Sequence, residues 1–266
     1  MHKSIVKKKL NAGEPVLVSK LNSNSPNFTE MMGMMGYDCV WLGNEHIYAD
    51  ESTIDHIITA CRASGMDCML RRNMSGYEDL LRPLEMGVNG FMIPRIRELD
   101  YIKKVVEYVK FPPVGRRGLD GVNADADFGL IPLETYLKRA NQETFIVAQI
   151  EDPEALDIAD TIAAIEGIDV LLVGHGDLSL AMGIPGKLRD PRIITAIDKV
   201  AEACIKHGKT PGIPVADAQD AADMMEKGYR FICCGGDYRY VRNGLQGTKD
   251  EFKSLGFTFR DFPHEL

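Results

Sequence analysis

The chain has 266 residues, with 31 Lys and Arg against 39 Asp and Glu, a formal net charge of −8. That balance argues against nucleic acid and against an anionic membrane surface as partners, while a few local arginines could still hold an anionic small molecule. A hydrophobic content of 45% supplies a full core; no apolar run approaches the roughly 18 residues of a bilayer span, and the length suits one α/β barrel of about 250 residues.

Residues 1–10 are basic with no apolar stretch behind them, so they do not read as a signal peptide, and the chain reads as cytoplasmic. Strand-like apolar runs recur at residues 15–21, 39–43, 67–72, 90–94, 145–151, 170–174, 210–215 and 231–236. Helical patterns occupy residues 25–35, 50–63, 76–85, 98–109, 133–141, 153–165, 191–206 and 218–227. Eight strands alternating with eight helices predict a closed (β/α)8 barrel, and near-continuous apolar strands suit a sheet buried on both faces. A doubly wound open sheet is the competing arrangement, but no Gly-rich dinucleotide fingerprint follows any strand. Residues 1–266 read as one domain, without repeat, low-complexity segment or linker.

Two stretches exceed a minimal barrel. Residues 111–132 form a long connection whose Arg116, Arg117 and glycines predict an ordered, anion-facing loop. From about residue 247 a tail carries Phe252, Leu255, Phe257, Phe259 and Phe262, which are expected to pack on the body or on a neighbouring subunit. Cys39, Cys61, Cys68, Cys204, Cys233 and Cys234 show no metal-type pair spacing and read as free thiols of a reducing compartment, mostly buried. Met31, Met32, Met34 and Met35 read as core packing or a subunit contact.

The chemistry concentrates in residues 148–186. Two apolar strands there each lead to a carboxylate, Glu151 and Asp177, across an intervening helix. Such units are right-handed with parallel strands about 4.8 Å apart, so both acids reach one rim of the sheet. Acids that close need something positive between them, and oxygen ligands suit Mg²⁺ or Mn²⁺. Gln149, two residues before Glu151, points to the same side. Asp177 alternatively caps a helix beginning near Leu178. Gly176 and Asp177 open that helix, where main-chain N–H groups can take a small anion.

Active sites of such barrels lie at the carboxyl ends of the strands. That rule selects His46 after strand 2 as acid/base candidate. It selects Arg71 at the end of strand 3 as a two-pronged carboxylate clamp, with Arg72 pointing the other way. Strand 4 ends in Pro94-Arg95 and strand 7 near Pro214-Val215. His175 reads as a loop residue over the mouth, His56 as helical, His207 as a helix end, and His2 and His264 as tail positions. Lys20, on strand 1, is the one candidate for a Schiff-base mechanism and otherwise reads as a strand-end surface lysine.

These residues together resemble the HpcH/HpaI-type class II aldolases, metal-dependent enzymes that make or cleave 4-hydroxy-2-oxo acids through pyruvate. The likeness runs from about Pro15 to Gln246. It rests on Glu45-His46, the Arg71 strand end, residues 111–118, Gln149-Ile150-Glu151, residues 173–183 and Lys209-Thr210-Pro211-Gly212. The resemblance implies a TIM barrel of the phosphoenolpyruvate/pyruvate-binding type. It implies that Glu151 and Asp177 bind Mg²⁺, Mn²⁺ or Co²⁺, with Gln149 beside the metal and the substrate. Arg71 would hold pyruvate and its enolate, His46 would be the base, and the amides of Gly176 and Asp177 would take the pyruvate carboxylate. It further implies a hexamer, a trimer of dimers with the last helix exchanged.

The sequence departs from the family pattern at four places. The usual strand 2 Asp is Gly43; the helix acid that supports the histidine appears as Glu85; the usual Pro-Ala-Asp is His175-Gly176-Asp177; and a strand 7 aliphatic position, facing the substrate, is Pro214. Two further readings are a lyase for thioesters of hydroxy acids, of the citrate lyase beta type, and a non-catalytic barrel that binds a 2-oxo acid.

Overall fold

The computed structural model describes residues 3–260; the expectations for His2, Phe262 and His264 lie outside them. Eight strands close a parallel barrel in sequential order, β1 to β8. They are β1 (Val16–Leu21), β2 (Cys39–Gly43), β3 (Asp67–Arg71), β4 (Gly90–Ile93), β5 (Phe145–Ile150), β6 (Val170–Val173), β7 (Thr210–Val215) and β8 (Phe231–Gly236). The predicted (β/α)8 architecture is therefore the observed one.

Alternation along each strand divides two cores. Val16, Val18, Cys39, Met69, Met92, Phe145, Val147, Leu172 and Phe231 fill the barrel interior. The other set, including Leu42, Leu70, Phe91, Ile146, Ala148 and Leu171, packs outward against the helices. Gly90 shows how tightly the interior is filled: a Cβ built there would lie 2.4 Å from the Phe145 ring. The basic N-terminus is a short helix, α1 (Ile5–Asn11), that buries Val6 with the interior set. Asp67, at the start of β3, anchors α1 by accepting from Ser4 Oγ (2.6 Å) and the Val6 N–H (2.9 Å).

The outer helices carry recognisable signals. Ser25 caps α2 (Pro26–Met34), which opens on proline. Asp50 caps α3 (Glu51–Ser64), which ends on left-handed Gly65. In α4 (Glu78–Met86), Pro83 cannot donate back to Asp79. The outward-pointing Arg72 supplies that donor, its Nη1 lying 3.1 Å from the Asp79 carbonyl. Helices α5 (Leu99–Val109), α6 (Leu133–Glu143), α10 (Pro191–Lys206) and α11 (Ala218–Glu226) follow the predicted pattern.

Three expectations are corrected. The helix expected at residues 153–165 is two short ones, α7 (Pro153–Asp157) and α8 (Ala159–Ala163), meeting at Ile158. The helix bearing Asp177 is α9 (His175–Ala181): the chain turns at Gly174 directly from strand to helix, so His175 lies in its first turn, not in a loop. An unpredicted last helix, α12 (Asp237–Lys253), takes up the start of the supposed tail. Only Asp237 of it is buried, and Phe252, Leu255, Phe257 and Phe259 are exposed, so within one chain these described residues of the tail do not pack on the body, leaving the neighbouring subunit as the alternative. Of the methionine cluster Met32 enters the core, while Met31, Met34 and Met35 are exposed in one chain, where the alternative of a subunit contact is untouched.

The loop at residues 111–132 is ordered around an internal ion pair. Arg117 and Asp125 are both buried at 2.9 Å, and Tyr136 Oη donates to the same carboxylate. Five of the six cysteines are buried, and all six are unbridged. No helix among the described residues is long and apolar enough to cross a membrane.

Candidate active site

The carboxyl ends of β2 to β6 bring a dense charge cluster to one mouth of the barrel. Gln149 faces inward from β5, and Glu151 follows directly after that strand; both are buried. Gly174, at the end of β6, makes room for them. A Cβ built there would lie 2.7 Å from Glu151 Cβ and 3.0 Å from Gln149 Nε2. Gln149 donates to Glu151 Oε2, while its own Oε1 is buried with no donor. Asp177 enters from the first turn of α9.

The acid pair requires a positive neighbour, and in one chain Arg95 supplies it. This residue holds a left-handed backbone, φ 53°, at the end of β4. Its main-chain N–H donates to Glu151 Oε1 at 2.9 Å. Its guanidinium reaches Asp177 Oδ1 at 3.1 Å, Glu45 Oε1 at 3.4 Å and Glu151 Oε1 at 3.5 Å. Burial nevertheless dominates at Glu151 and pushes its carboxyl up to about 7. Strand-end placement named Arg95 among the candidates, but nothing in its type or spacing marked it as the residue between the acids.

Arg71 projects into the mouth from β3, its side chain only 4% exposed. Its Nη1 pairs with Glu45 Oε2 at 3.3 Å, and its guanidinium carbon lies 4.9 Å from the Trp41 ring centroid. Nε and Nη2 are buried and donate to nothing. Those idle N–H groups are the donors a carboxylate or enolate oxygen needs. His46 stands at the edge, 56% exposed, with Nε2 3.8 Å from Glu45 Oε2. Glu45 thus links His46, Arg71 and Arg95, a role the sequence signalled only through its adjacency to the histidine.

Other predicted residues lie elsewhere. Glu85 sits near the end of α4, which runs from the mouth back to the far end of the barrel. Its charged neighbours there are Arg117, Asp120 and Asp125, so within one chain it does not meet His46. Pro214 and His175 line a neighbouring cleft with Arg189, Asp217 and Gln219. Burial lowers the His175 pKa, and its Nδ1 has no partner. The Gly176 amide lies beside Asp177 in α9, and a Cβ at Gly176 would meet nothing within 4 Å.

The residues present fit a hard divalent cation. Among the described residues no three of His, Cys, Asp and Glu form a complete cage. Mg²⁺-type sites, however, characteristically take one or two carboxylates and complete their shell with water and substrate. Glu151, Asp177 and the orphaned Gln149 Oε1 form such an oxygen set.

Comparison with known proteins agrees with this geometry. The profile of the HpcH/HpaI aldolase/citrate lyase family matches residues 20–244. The chain is 31% identical over 229 residues to a 5-keto-4-deoxy-D-glucarate aldolase of Enterobacter sp. (strain 638), covering 86% of this chain and 89% of the relative. The crystal structure of an HpcH/HpaI aldolase from Desulfitobacterium hafniense DCB-2 superposes with a TM-score of 0.86 at 28% identity, over 97% of this chain and 99% of that one. The citrate synthase SbnG superposes with a TM-score of 0.85 at 26% identity, over 94% and 98%.

Proposed function

This chain belongs to the HpcH/HpaI aldolase/citrate lyase family, and we propose that its barrel mouth reversibly cleaves a 4-hydroxy-2-oxo acid to pyruvate and an aldehyde. It is a lyase of the metal-dependent, class II aldolase type. The observation that carries the substrate reading is the pair of idle, buried Arg71 N–H groups facing the same mouth as Glu151 and Asp177.

In this reading Glu151 and Asp177 hold Mg²⁺, Mn²⁺ or Co²⁺, with Gln149 Oε1 beside it. The bound ion supplies Lewis acidity at the 2-oxo group. Arg95 keeps its main-chain bond to Glu151 while its guanidinium gives way. Arg71 Nε and Nη2 donate to the substrate oxygen that gains charge as the C3–C4 bond breaks. His46 takes the proton from the C4 hydroxyl, the aldehyde leaves, and a proton returned to C3 completes pyruvate. The Gly176 and Asp177 amides receive the pyruvate carboxylate. Pro214 bounds the aldehyde side.

A homo-oligomer, a hexamer built as a trimer of dimers, suits the exposed apolar residues of α12, among them Tyr238, Val241 and Leu245. The unbridged thiols suit the cytoplasm.

The test follows the methyl signal of pyruvate by NMR in D₂O, with Mn²⁺ or Mg²⁺ and with a chelated control. Metal-dependent deuterium uptake that Glu151→Ala abolishes and His46→Ala slows supports the reading. Pyruvate binding without exchange favours the non-catalytic barrel or a thioester substrate. No binding removes Glu151, Asp177 and Arg71 as one site.

A further inference from the structure

Trp41 is the single tryptophan of the chain, and the reaction just described gives it no task. Strand register sets its neighbours. It is paired with Lys20 across β1 and β2 and with Met69 across β2 and β3. Arg71 lies two residues beyond Met69, so alternation turns it to the same interior side. One ring therefore serves two cations at the floor of the mouth. The Arg71 guanidinium carbon lies 4.9 Å from the ring centroid and Lys20 Nζ 5.3 Å from it. Both fall within the reach of about 6 Å at which an aromatic face attracts a cation. Lys20 was expected at a surface; it is half-buried against this ring instead.

Packing alone places the ring. Trp41 is 8% exposed among the interior residues of the barrel, and its Nε1–H is buried with no acceptor. An indole kept for its hydrogen bond has a partner when buried; this one offers its face. Arg71 in turn has one ion-pair contact, Nη1 to Glu45 Oε2 at 3.3 Å, while Nε and Nη2 donate to nothing. A contact at one tip leaves a guanidinium free to pivot about it, and Glu45 is shared, its other oxygen lying 3.4 Å from Arg95. The aromatic face removes that freedom. It fixes the plane of the fork, which is what an incoming carboxylate or enolate oxygen must meet.

We propose that Trp41 is a positioning residue: the face of its indole holds the Arg71 guanidinium in the plane that presents Nε and Nη2 to the substrate oxygen. The inference rests on the proposed oxo-acid reading of this mouth, in which Arg71 supplies those donors.

The test uses the full-length protein with Mg²⁺ in the pyruvate methyl-exchange assay. Trp41→Leu removes the aromatic face and should lower kcat on the order of tenfold, with the KM for pyruvate and the Mg²⁺ affinity little changed. Trp41→Phe keeps a face and should regain most of that loss. In an Arg71→Gln chain no guanidinium remains to be held, so Trp41→Leu should cost nothing further. Full activity in Trp41→Leu, equal losses in the Phe and Leu variants, or a loss that falls on Mg²⁺ affinity overturns the proposal. A second readout needs neither turnover nor a Trp41 variant. The emission of this one tryptophan reports the cation on its face, so Arg71→Gln should shift it, and emission indifferent to Arg71 overturns the proposal. A wild type without exchange, whose emission still responds to Arg71→Gln, supports the positioning and sinks the proposed reaction instead.

Discussion

Gly174→Ala tests whether the position of Glu151 controls the site. Gly174 has φ −81° and ψ 64°, values that alanine adopts, so the substitution carries no left-handed backbone penalty. Its methyl would stand 2.7 Å from Glu151 Cβ and 3.2 Å from Glu151 Oε2. Carbon–carbon contacts settle near 3.5–4.0 Å, so Glu151 must retreat by roughly 1 Å. Overpacking of this kind costs about 1–3 kcal/mol of stability, which the fold tolerates. A displacement of about 1 Å in a reacting constellation costs on the order of 100-fold in rate. The variant should therefore fold with a modest fall in Tm, bind Mn²⁺ more weakly by calorimetry, and exchange pyruvate methyl protons about 100-fold more slowly. Gly121→Ala is the control: it lies in the 111–132 loop, needs no left-handed backbone, and its added Cβ meets nothing within 4 Å. If Gly174→Ala matches the wild type in Mn²⁺ affinity and exchange, Glu151 is not held by this contact and the account of the site is wrong.

Three other outcomes follow from groups around the barrel. Arg95→Ala removes the guanidinium that a divalent ion must displace; with rim pairs worth roughly 0.2–1 kcal/mol each, Mn²⁺ should bind about fivefold more tightly by calorimetry, and weaker binding would make the arginine part of the ion site. Asp67 is buried, which raises its carboxyl to about 6 against about 3.9 unfolded. The folded state therefore binds the extra proton between those values, and this contribution to stability is lost as pH rises. The unfolding free energy of the wild type relative to Asp67→Asn should fall by about 2 kcal/mol between pH 4.5 and 7.5 in urea titrations, and a constant difference would refute the shift. Asp125→Ala strands the buried Arg117 charge and should cost about 3–5 kcal/mol in the same measurement; a doubly substituted Asp125→Ala, Arg117→Met chain, which removes the stranded charge, should regain most of that loss, and a double variant as unstable as the single one would refute the cause.

The barrel was legible because its signals are local. Each strand is an apolar run, and caps such as Ser25 and Asp50 and the terminal Gly65 mark helix ends within a turn. What escaped depends on pairing across the chain. The last helix, α12, is mostly exposed, so it lacks the wide apolar stripe that reveals a core-facing helix. The acids Glu151 and Asp177 were readable from strand-end placement, and Arg71 from alternation. Arg95 escaped because its role comes from a left-handed backbone that no residue type announces. Glu85 was assigned by motif position, yet α4 carries it away from the mouth to Arg117 and Asp125.

Lys20 and Gly43 explain each other in the same way. Read separately, one is a strand-end lysine and the other a missing acid beside His46. In the barrel they share one space, because Lys20 Cε lies at contact distance from where a Gly43 side chain would begin. Lys20, Arg71 and Arg95 face Glu45, Glu151, Asp152, Asp177 and Asp237, three cations against five acids, so the mouth stays acidic enough for a divalent ion without a carboxylate at position 43. The glycine at position 43 therefore need not disable the site: Glu45 still places a carboxylate 3.8 Å from His46 Nε2 and pairs with Arg71 and Arg95.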